Sequence, residues 1–212
     1  MALSIERFLT LRPYLYHLTA QSNLPRIRRM MVLESAIQIF GNAGKTELSR
    51  VRRRGHREIE VDGEIIRVRD QDPLHCGNVR LAPGWSFEDL IFYLNGYVFF
   101  WPGTHAGPSP YGERHYERYA HEKPAVLRVA TRELIAANPA NQIAFSAYNT
   151  GAPRCTMGKG SPRGLRTFGF ASDFEFPPTR VVEAAFQSQV QLPCSTEIAG
   201  SPNGPWAQLR AA

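Results

Sequence analysis

The stretch YLYHLTAQSNLPRIRRM, residues 14–30, joins a strand pattern that carries one histidine to a basic helix pattern. Residues 14–18 alternate aromatic and aliphatic side chains, which predicts a strand. An N-cap at residue 22 or 23, followed by a proline, predicts a helix that continues to about Phe40. On its apolar strand, His17 is either a hydrogen-bonded core histidine or the wall of a ligand pocket.

The composition is that of a soluble globular protein. The chain has 212 residues, of which 43% are hydrophobic and 21% are charged. No apolar run approaches the roughly 18 residues of a membrane span, and the N-terminal residues show no signal-peptide pattern. The three cysteines, Cys76, Cys155 and Cys194, are isolated, so nothing indicates a zinc site. We therefore expect a cytoplasmic protein with free thiols, no membrane contact and no metal.

Strands and short helices alternate without regular βαβ units, which favours one α+β domain over residues 1–212. The clearest local pattern is a hairpin around the Asp62-Gly63 pair. Residues 151–164 are rich in glycine and proline and predict a long loop. We place the core at about residues 12–192 and expect the tail, residues 193–212, to be frayed or weakly docked.

The familiar phosphate-binding loops and hydrolase motifs are absent, and the candidate chemistry lies in polar residues on apolar strands. These include His17, Arg69, Asn149 and Glu183. Alternation places Glu183 on the face of its strand that also carries an alanine, where a carboxylate is costly unless it is paired or lines a cavity. Glu183 is thus either a salt-bridge partner at a strand edge or a site residue.

Two segments resemble motifs of the ADP-ribosyltransferase superfamily, in particular the DarT-type toxins that modify DNA. They are LYHLTAQSNLPRIRRMMVLESA, with its Tyr-His-x-Thr strand, and RVVEAAFQSQV, which is similar to the strand of the catalytic glutamate. The intervening segments VRDQDPL, LNGYVFFWPG, AYNTG and PRGLRTF resemble a related bacterial family of uncharacterised proteins. The resemblance spans about residues 12–192. It implies a split, bent β-sandwich with flanking helices that binds NAD and releases nicotinamide.

The resemblance also implies residue roles. Glu183 and Arg69 are expected to be catalytic: Glu183 would stabilise the oxocarbenium-like ribose, and Arg69 would pair with the diphosphate or the substrate. The aromatic strand is expected to stack on nicotinamide through residues 97, 100 or 101, with Phe99 turned to the core. The expected NAD-binding residues are His17, Thr19, Asn23, Tyr97, Phe100 and Trp101.

The acceptor expected from the sequence is a nucleic-acid base, in DNA or RNA. The net charge is +6, much of it in two basic clusters of the first third of the chain. Residue 181, two positions before Glu183, is a valine, so the glutamate that activates an arginine acceptor is missing. We look for the polyanion in residues 45–57 and 151–164. The expected contacts are Arg50, Arg52, Arg53, Arg54, Arg154, Lys159 and Arg163.

Several other functions stay open at this point. By analogy the chain would be a bacterial toxin or anti-phage effector with a cognate antitoxin. The same fold could instead modify a protein side chain, hydrolyse NAD or remove a 2′-phosphate from RNA. A different class is an inert binding module in which His17 and Glu183 are buried structural partners.

Overall fold

The computed structural model describes residues 2–139 and 142–210. The helices of these residues are α1 Ile5–Leu11, α2 Leu24–Met30, α3 Ala36–Asn42, α4 Phe87–Asn95, α5 Pro110–Tyr119 and α6 Thr131–Ala137. The strands are β1 Tyr14–Thr19, β2 Val32–Glu34, β3 Arg57–Val61, β4 Glu64–Val68, β5 Val79–Leu81, β6 Tyr97–Thr104, β7 Gly107–Pro108, β8 Ala125–Ala130, β9 Ala144–Ser146, β10 Ser161–Arg163, β11 Gly169–Phe170, β12 Glu183–Gln187, β13 Gln189–Gln191, β14 Glu197–Ala199 and β15 Ala207–Gln208.

A nine-stranded antiparallel sheet organises the molecule, in the order β11-β9-β12-β6-β1-β8-β14-β15, with β7 paired to β6. One face packs against α1 and α6 in the largest core cluster, which includes the fully buried Phe8, Phe145 and Phe186. Side chains of α4 pack on the other face around Leu90 and Ile91. Because helices and an antiparallel sheet mix in this way, the predicted α+β class is confirmed.

The sheet opens between β1 and β6. Strand β1 pairs with β8 along its whole length, from Tyr14 to Thr19. Its pairing with β6 ends where Tyr16 faces Trp101. From there β6 continues along β12 alone. The two central strands therefore separate from His17 onward, and the gap between them positions the candidate site.

The β3–β4 hairpin forms as predicted and packs against α3. Asp62 and Gly63 have φ values of 54° and 77°, the two positive values that a type I′ turn requires. The hairpin and α3 share a separate core cluster of Ile39, Phe40, Ile59, Val61, Ile66 and Val68. This small cluster holds β4 beside the gap in the main sheet.

The single helix predicted to run to about Phe40 is wrong. Helix α2 ends at Met30 and is followed by Met31, whose φ of 51° is left-handed, and β2 comes before α3 begins. Strand β2 pairs with β13, about 160 residues away in sequence. Leu33 of β2 is buried in the main core. Long-range pairing and burial thus override the helical propensity of this segment.

The tail is docked rather than frayed. Strand β14 extends the main sheet by pairing with β8, and Leu209 is 1% exposed. The ring centre of Trp206 lies 4.2 Å from the guanidinium carbon of Arg128. The expectation of a frayed tail is therefore wrong through residue 210, and residues 211–212 lie outside the described part of the chain.

The Phe100→Ala protein should lose about 3–5 kcal/mol of its free energy of unfolding, because this ring is fully buried in the main core. Phe99→Ala is the matched control, since the neighbouring ring is only partly buried, and it should lose less than about half as much. Urea unfolding followed by circular dichroism measures both. Equal losses would contradict the alternation of side chains along β6.

Candidate active site

A cavity of about 660 Å³ occupies the gap between β1 and β6. Its walls come from the end of β1, the end of β4, strand β6, helix α5, residues 149–154 and the start of β12. It brings together seven of the eight residues predicted from the sequence to bind NAD or act in catalysis, and the eighth is an aromatic residue outside the cavity. Those that line it are His17, Thr19, Asn23, Arg69, Tyr97, Trp101 and Glu183.

Glu183 is a buried carboxyl group at the first position of β12. It is 3% exposed, and it accepts hydrogen bonds from the Thr150 amide at 3.1 Å and the Thr150 hydroxyl at 2.6 Å. Burial raises the pKa of Glu183 to about 7, while the Thr150 hydrogen bonds and the charge of Arg163 act in the opposite direction. No ion pair to Glu183 occurs in the described chain, so the salt-bridge interpretation is not supported. Near neutral pH this group can exist as an anion or as an acid.

His17 spans the gap in the sheet. Its Nδ1 lies 2.8 Å from the carbonyl oxygen of Phe99, on the facing strand β6. Burial, and to a smaller extent the nearby Arg69 charge, lowers the pKa of His17 to about 4, although the hydrogen bond to the Phe99 carbonyl acts in the opposite direction. The ring is therefore neutral at pH 7. Because a carbonyl can only accept, Nδ1 carries the proton and Nε2 remains an acceptor.

Arg69 lines the cavity, and its guanidinium group lacks a hydrogen-bond partner although it forms a long ion pair with Glu122. All three of its nitrogen atoms are buried without a hydrogen-bond partner among the described residues. The nearest acidic oxygen, from Glu122, is 3.6 Å away, and the Tyr119 ring centre is 4.6 Å from the guanidinium carbon. Burial lowers the pKa of Arg69, yet the group stays charged. Buried donors of this kind are normally satisfied, so the site suits an anionic ligand.

A hydrogen-bonded cluster holds the surroundings of Arg69 in place. His56 accepts the Asp70 amide at Nδ1, 3.0 Å away, and its Nε2 lies 2.7 Å from a Glu122 carboxylate oxygen. The Tyr119 hydroxyl donates to Asp70 at 2.9 Å. Glu122 and Tyr119 are thus held beside the Arg69 guanidinium without donating to it or accepting a hydrogen bond from it.

His115 of α5 also lines the cavity, although the sequence did not single it out. Its ring centre lies 4.4 Å from that of Trp101. Burial lowers the pKa of His115 to about 3, so this ring is neutral too. Gly112 allows the close approach, because a Cβ there would come within 2.8 Å of the Trp101 Cβ. A glycine one helical turn before a histidine is only a weak sequence signal, and the position of His115 at the cavity becomes evident only from the packing.

The expected aromatic wall needs one correction. Phe100 is fully buried in the main core behind His17, with ring centres 5.5 Å apart, and does not line the cavity. Phe99, expected in the core, packs against the α4 cluster and also lines the cavity. Residues two apart on a strand share a face, so Tyr97, Phe99 and Trp101 belong together. Placing Phe100 with its odd-numbered neighbours was wrong.

Thr19 and Asn23 lie at the cavity, but their side chains are hydrogen-bonded within the protein. The Asn23 amide donates to the Thr19 hydroxyl at 3.1 Å and to the Arg67 carbonyl at 3.0 Å. It also accepts the Arg67 amide at 2.8 Å. Asn23 therefore ties β4 to the segment after β1 and keeps the cavity wall in place, instead of capping a helix.

Two of the arginines expected to contact nucleic acid are buried. Arg53 is 6% exposed and donates to the Asn95 side chain at 2.8 Å and to the Arg69 carbonyl at 2.7 Å. Arg163 is 3% exposed and donates to the Asn149 carbonyl at 2.9 Å. Both predictions of a surface contact are wrong, because Arg53 is part of the cavity lining and Arg163 is bonded to a residue of that lining. Part of the predicted loop is also regular, since β10 pairs with β5.

The other basic residues of the two segments lie at the surface. Arg50 pairs with Asp89 at 2.7 Å, and Arg52 donates to the Asp72 carbonyl at 2.6 Å. Arg54, Arg154 and Lys159 are exposed, and Arg154 alone of the three lines the cavity.

The chain belongs to a family of unknown function, DUF7002, whose model matches residues 13–192. The matched range contains β1, the cavity and β12, and it ends just before the docked tail. Neither a curated protein nor a solved structure matches the chain. Within residues 2–139 and 142–210, no cluster of three His, Cys, Asp or Glu side chains is arranged to hold a metal ion. None of the helices in this part of the chain is long and apolar enough to cross a membrane.

The Glu183→Gln substitution should increase the free energy of unfolding relative to the parent, and the increase should grow as the pH rises. The pKa of Glu183 lies near 4.5 when unfolded and at about 7 when folded, so folding becomes less favourable as the pH climbs through this window. The variant should gain up to about 3 kcal/mol over the parent at pH 8 and little from ionisation at pH 4. Urea unfolding at both pH values measures the difference. Glu47→Gln, at an exposed site, is the control, and a pH-independent difference for Glu183→Gln would contradict the raised pKa.

Proposed function

We propose that the protein is an NAD-dependent ADP-ribosyltransferase with the split sandwich fold of that superfamily, and that it modifies a nucleic-acid base. One observation carries the proposal: the gap in the sheet holds a buried Arg69 without hydrogen-bond partners, together with His17 and the buried Glu183. These are the positions to which the sequence resemblance assigned the diphosphate, the ribose and the catalytic carboxylate. Three residues far apart in sequence thus share one cavity of a size suited to a dinucleotide.

The cavity offers chemically matched contacts to the diphosphate, a ribose and the nicotinamide of NAD. The Arg69 guanidinium would donate to the diphosphate oxygens, for which its planar fork is well suited. The free Nε2 of neutral His17 would accept a hydrogen bond from a ribose hydroxyl. The cationic nicotinamide ring would lie against Trp101 or Tyr97, where aromatic faces stabilise positive charge.

Glu183 would act on the bond between nicotinamide and ribose. When that bond breaks, its electron pair leaves with nicotinamide, and the ribose C1′ becomes oxocarbenium-like. The ionised Glu183 carboxylate would stabilise this positive charge in a site from which water is largely excluded. A ring or amino nitrogen of the base then forms a bond to C1′, and its proton passes to the carboxylate.

Two rival functions receive less support. In an inert module whose buried polar residues are only structural partners, the unsatisfied donors of Arg69 would lower stability with no compensating ligand. Arginine modification needs a second carboxylate near Glu183. Val181 stands at that position instead, and it is buried in the main core. A nucleic-acid acceptor in the cytoplasm, in a toxin or anti-phage effector held in check by an antitoxin, remains our proposal.

Purified protein, ³²P-labelled NAD and separate pools of DNA, RNA and protein test the reaction and its acceptor together. Label should enter a nucleic-acid pool, and Glu183→Gln should reduce the rate at least about 100-fold because the charge that stabilises the transition state is lost. Glu47→Gln is the matched control and should keep the parental rate, since this side chain is exposed and outside the cavity.

The same experiment can refute the proposal. Label in protein alone would reassign the acceptor, and free ADP-ribose in every pool would identify an NAD glycohydrolase. If NAD stays intact and does not bind, the chain is an inert module.

A further inference from the structure

The mouth of the cavity carries three exposed arginines, which we call the cavity rim: Arg114 and Arg118 of α5, and Arg154. The first two were not among the residues expected to bind nucleic acid. All three line the same cavity as Glu183. A long anionic molecule that reached Glu183 would therefore pass over them.

The rim charges are largely uncompensated. Arg154 has no ion pair or hydrogen bond within the described residues. Arg114 has no acidic partner there and lies over the Tyr111 ring, 4.7 Å from its centre. Arg118 approaches Asp72 at 3.8 Å, a long contact between two exposed groups that contributes little. The rim thus carries more positive than negative charge, since the one exposed acidic residue of α5 that lines the same cavity is Glu117.

The basic segment over residues 45–57 contrasts with the rim. Arg53 is buried, Arg50 is paired with Asp89, and Arg52 is bonded to the chain around Asp72. Much of the charge that made this segment a candidate for polyanion binding is therefore already used within the protein. A phosphate backbone would gain more by contacting the rim.

The rim also offers flat surfaces for bases. Arg114 and Arg118 are four residues apart, so they share one side of α5 and rise about 6 Å along its axis. The Tyr111 ring with the Arg114 guanidinium over it forms what we call the Tyr111 platform, and the Trp101 ring lies against His115. Aromatic and guanidinium planes stack on unpaired bases, whereas an acidic peptide gains nothing comparable from them.

We propose that the cavity rim, with the Tyr111 platform, binds the phosphodiester backbone of the acceptor and brings one base to the cavity mouth. This inference rests on the proposed function and identifies the acceptor surface of that same site. DNA and RNA share the phosphodiester chemistry, so the test includes both.

Fluorescein-labelled 20-nucleotide single strands of DNA and RNA with one sequence serve as probes. Anisotropy titrations without NAD, at 50 to 200 mM KCl, compare the parent with the Arg114→Gln/Arg118→Gln/Arg154→Gln protein. The matched control is Arg7→Gln/Arg132→Gln/Arg166→Gln, which removes the same charge from exposed arginines outside the cavity. Thermal unfolding of each protein establishes that it is folded.

The rim variant should bind at least one probe about 10-fold or more weakly at 100 mM KCl. Its plot of log Kd against log salt should lose about 2 in slope, since each phosphate contact to a single strand contributes about 0.7. The control should stay within about 3-fold of the parent, because it removes only long-range charge. The probe that shows the larger loss identifies DNA or RNA as the acceptor.

Three results would overturn the rim as the acceptor surface. They are equal weakening by both triple variants, no binding of either probe by the parent, and displacement of the probes by poly-glutamate at equal charge concentration. NAD consumption is measured separately. A parent that binds through the rim but never consumes NAD would contradict the proposed function and leave the binding surface standing.

Discussion

The separation of β1 from β6 is the constraint on which the site depends. The strands pair up to Tyr16 and Trp101 and then diverge, while each keeps its partner on the other side. A continuous sheet would have filled this space with backbone hydrogen bonds. Instead, the His17 imidazole spans the gap to the Phe99 carbonyl, and it satisfies one of the backbone groups that the opening exposes. The same ring then forms part of the cavity wall.

The cavity concentrates groups whose burial costs stability. Arg69 has no hydrogen-bond partner in the described chain, and Glu183 is held where its ionisation is disfavoured. Thr150 donates twice to this carboxylate, and Arg163 favours its charge from behind, so the anion remains accessible near neutral pH. Ionisable groups with shifted pKa values in a cleft are typical of functional sites. A protein that used the cavity only for packing would gain stability from apolar residues at these positions.

Local sequence patterns predicted the elements that depend on local chemistry. The hairpin follows from the turn at Asp62, which needs positive φ values that this residue pair supplies. The left-handed Met31, which splits the predicted helix, depends on a strand partner far away in the chain. Arg53 and Arg163 were predicted to lie at the surface because the sequence alone does not show which arginines become buried. His115 was missed since its helix is polar on most sides, and only its packing against β6 turns it to the cavity.

The central claim is that the gap in the sheet binds NAD through Arg69. A crystal structure of Glu183→Gln soaked with NAD tests it most directly, since this variant should bind the dinucleotide without consuming it. We predict that the diphosphate oxygens lie about 3 Å from the Arg69 guanidinium, with the nicotinamide ribose between His17 and residue 183. An empty gap at saturating NAD, or a dinucleotide bound elsewhere without a contact to Arg69, would contradict the account.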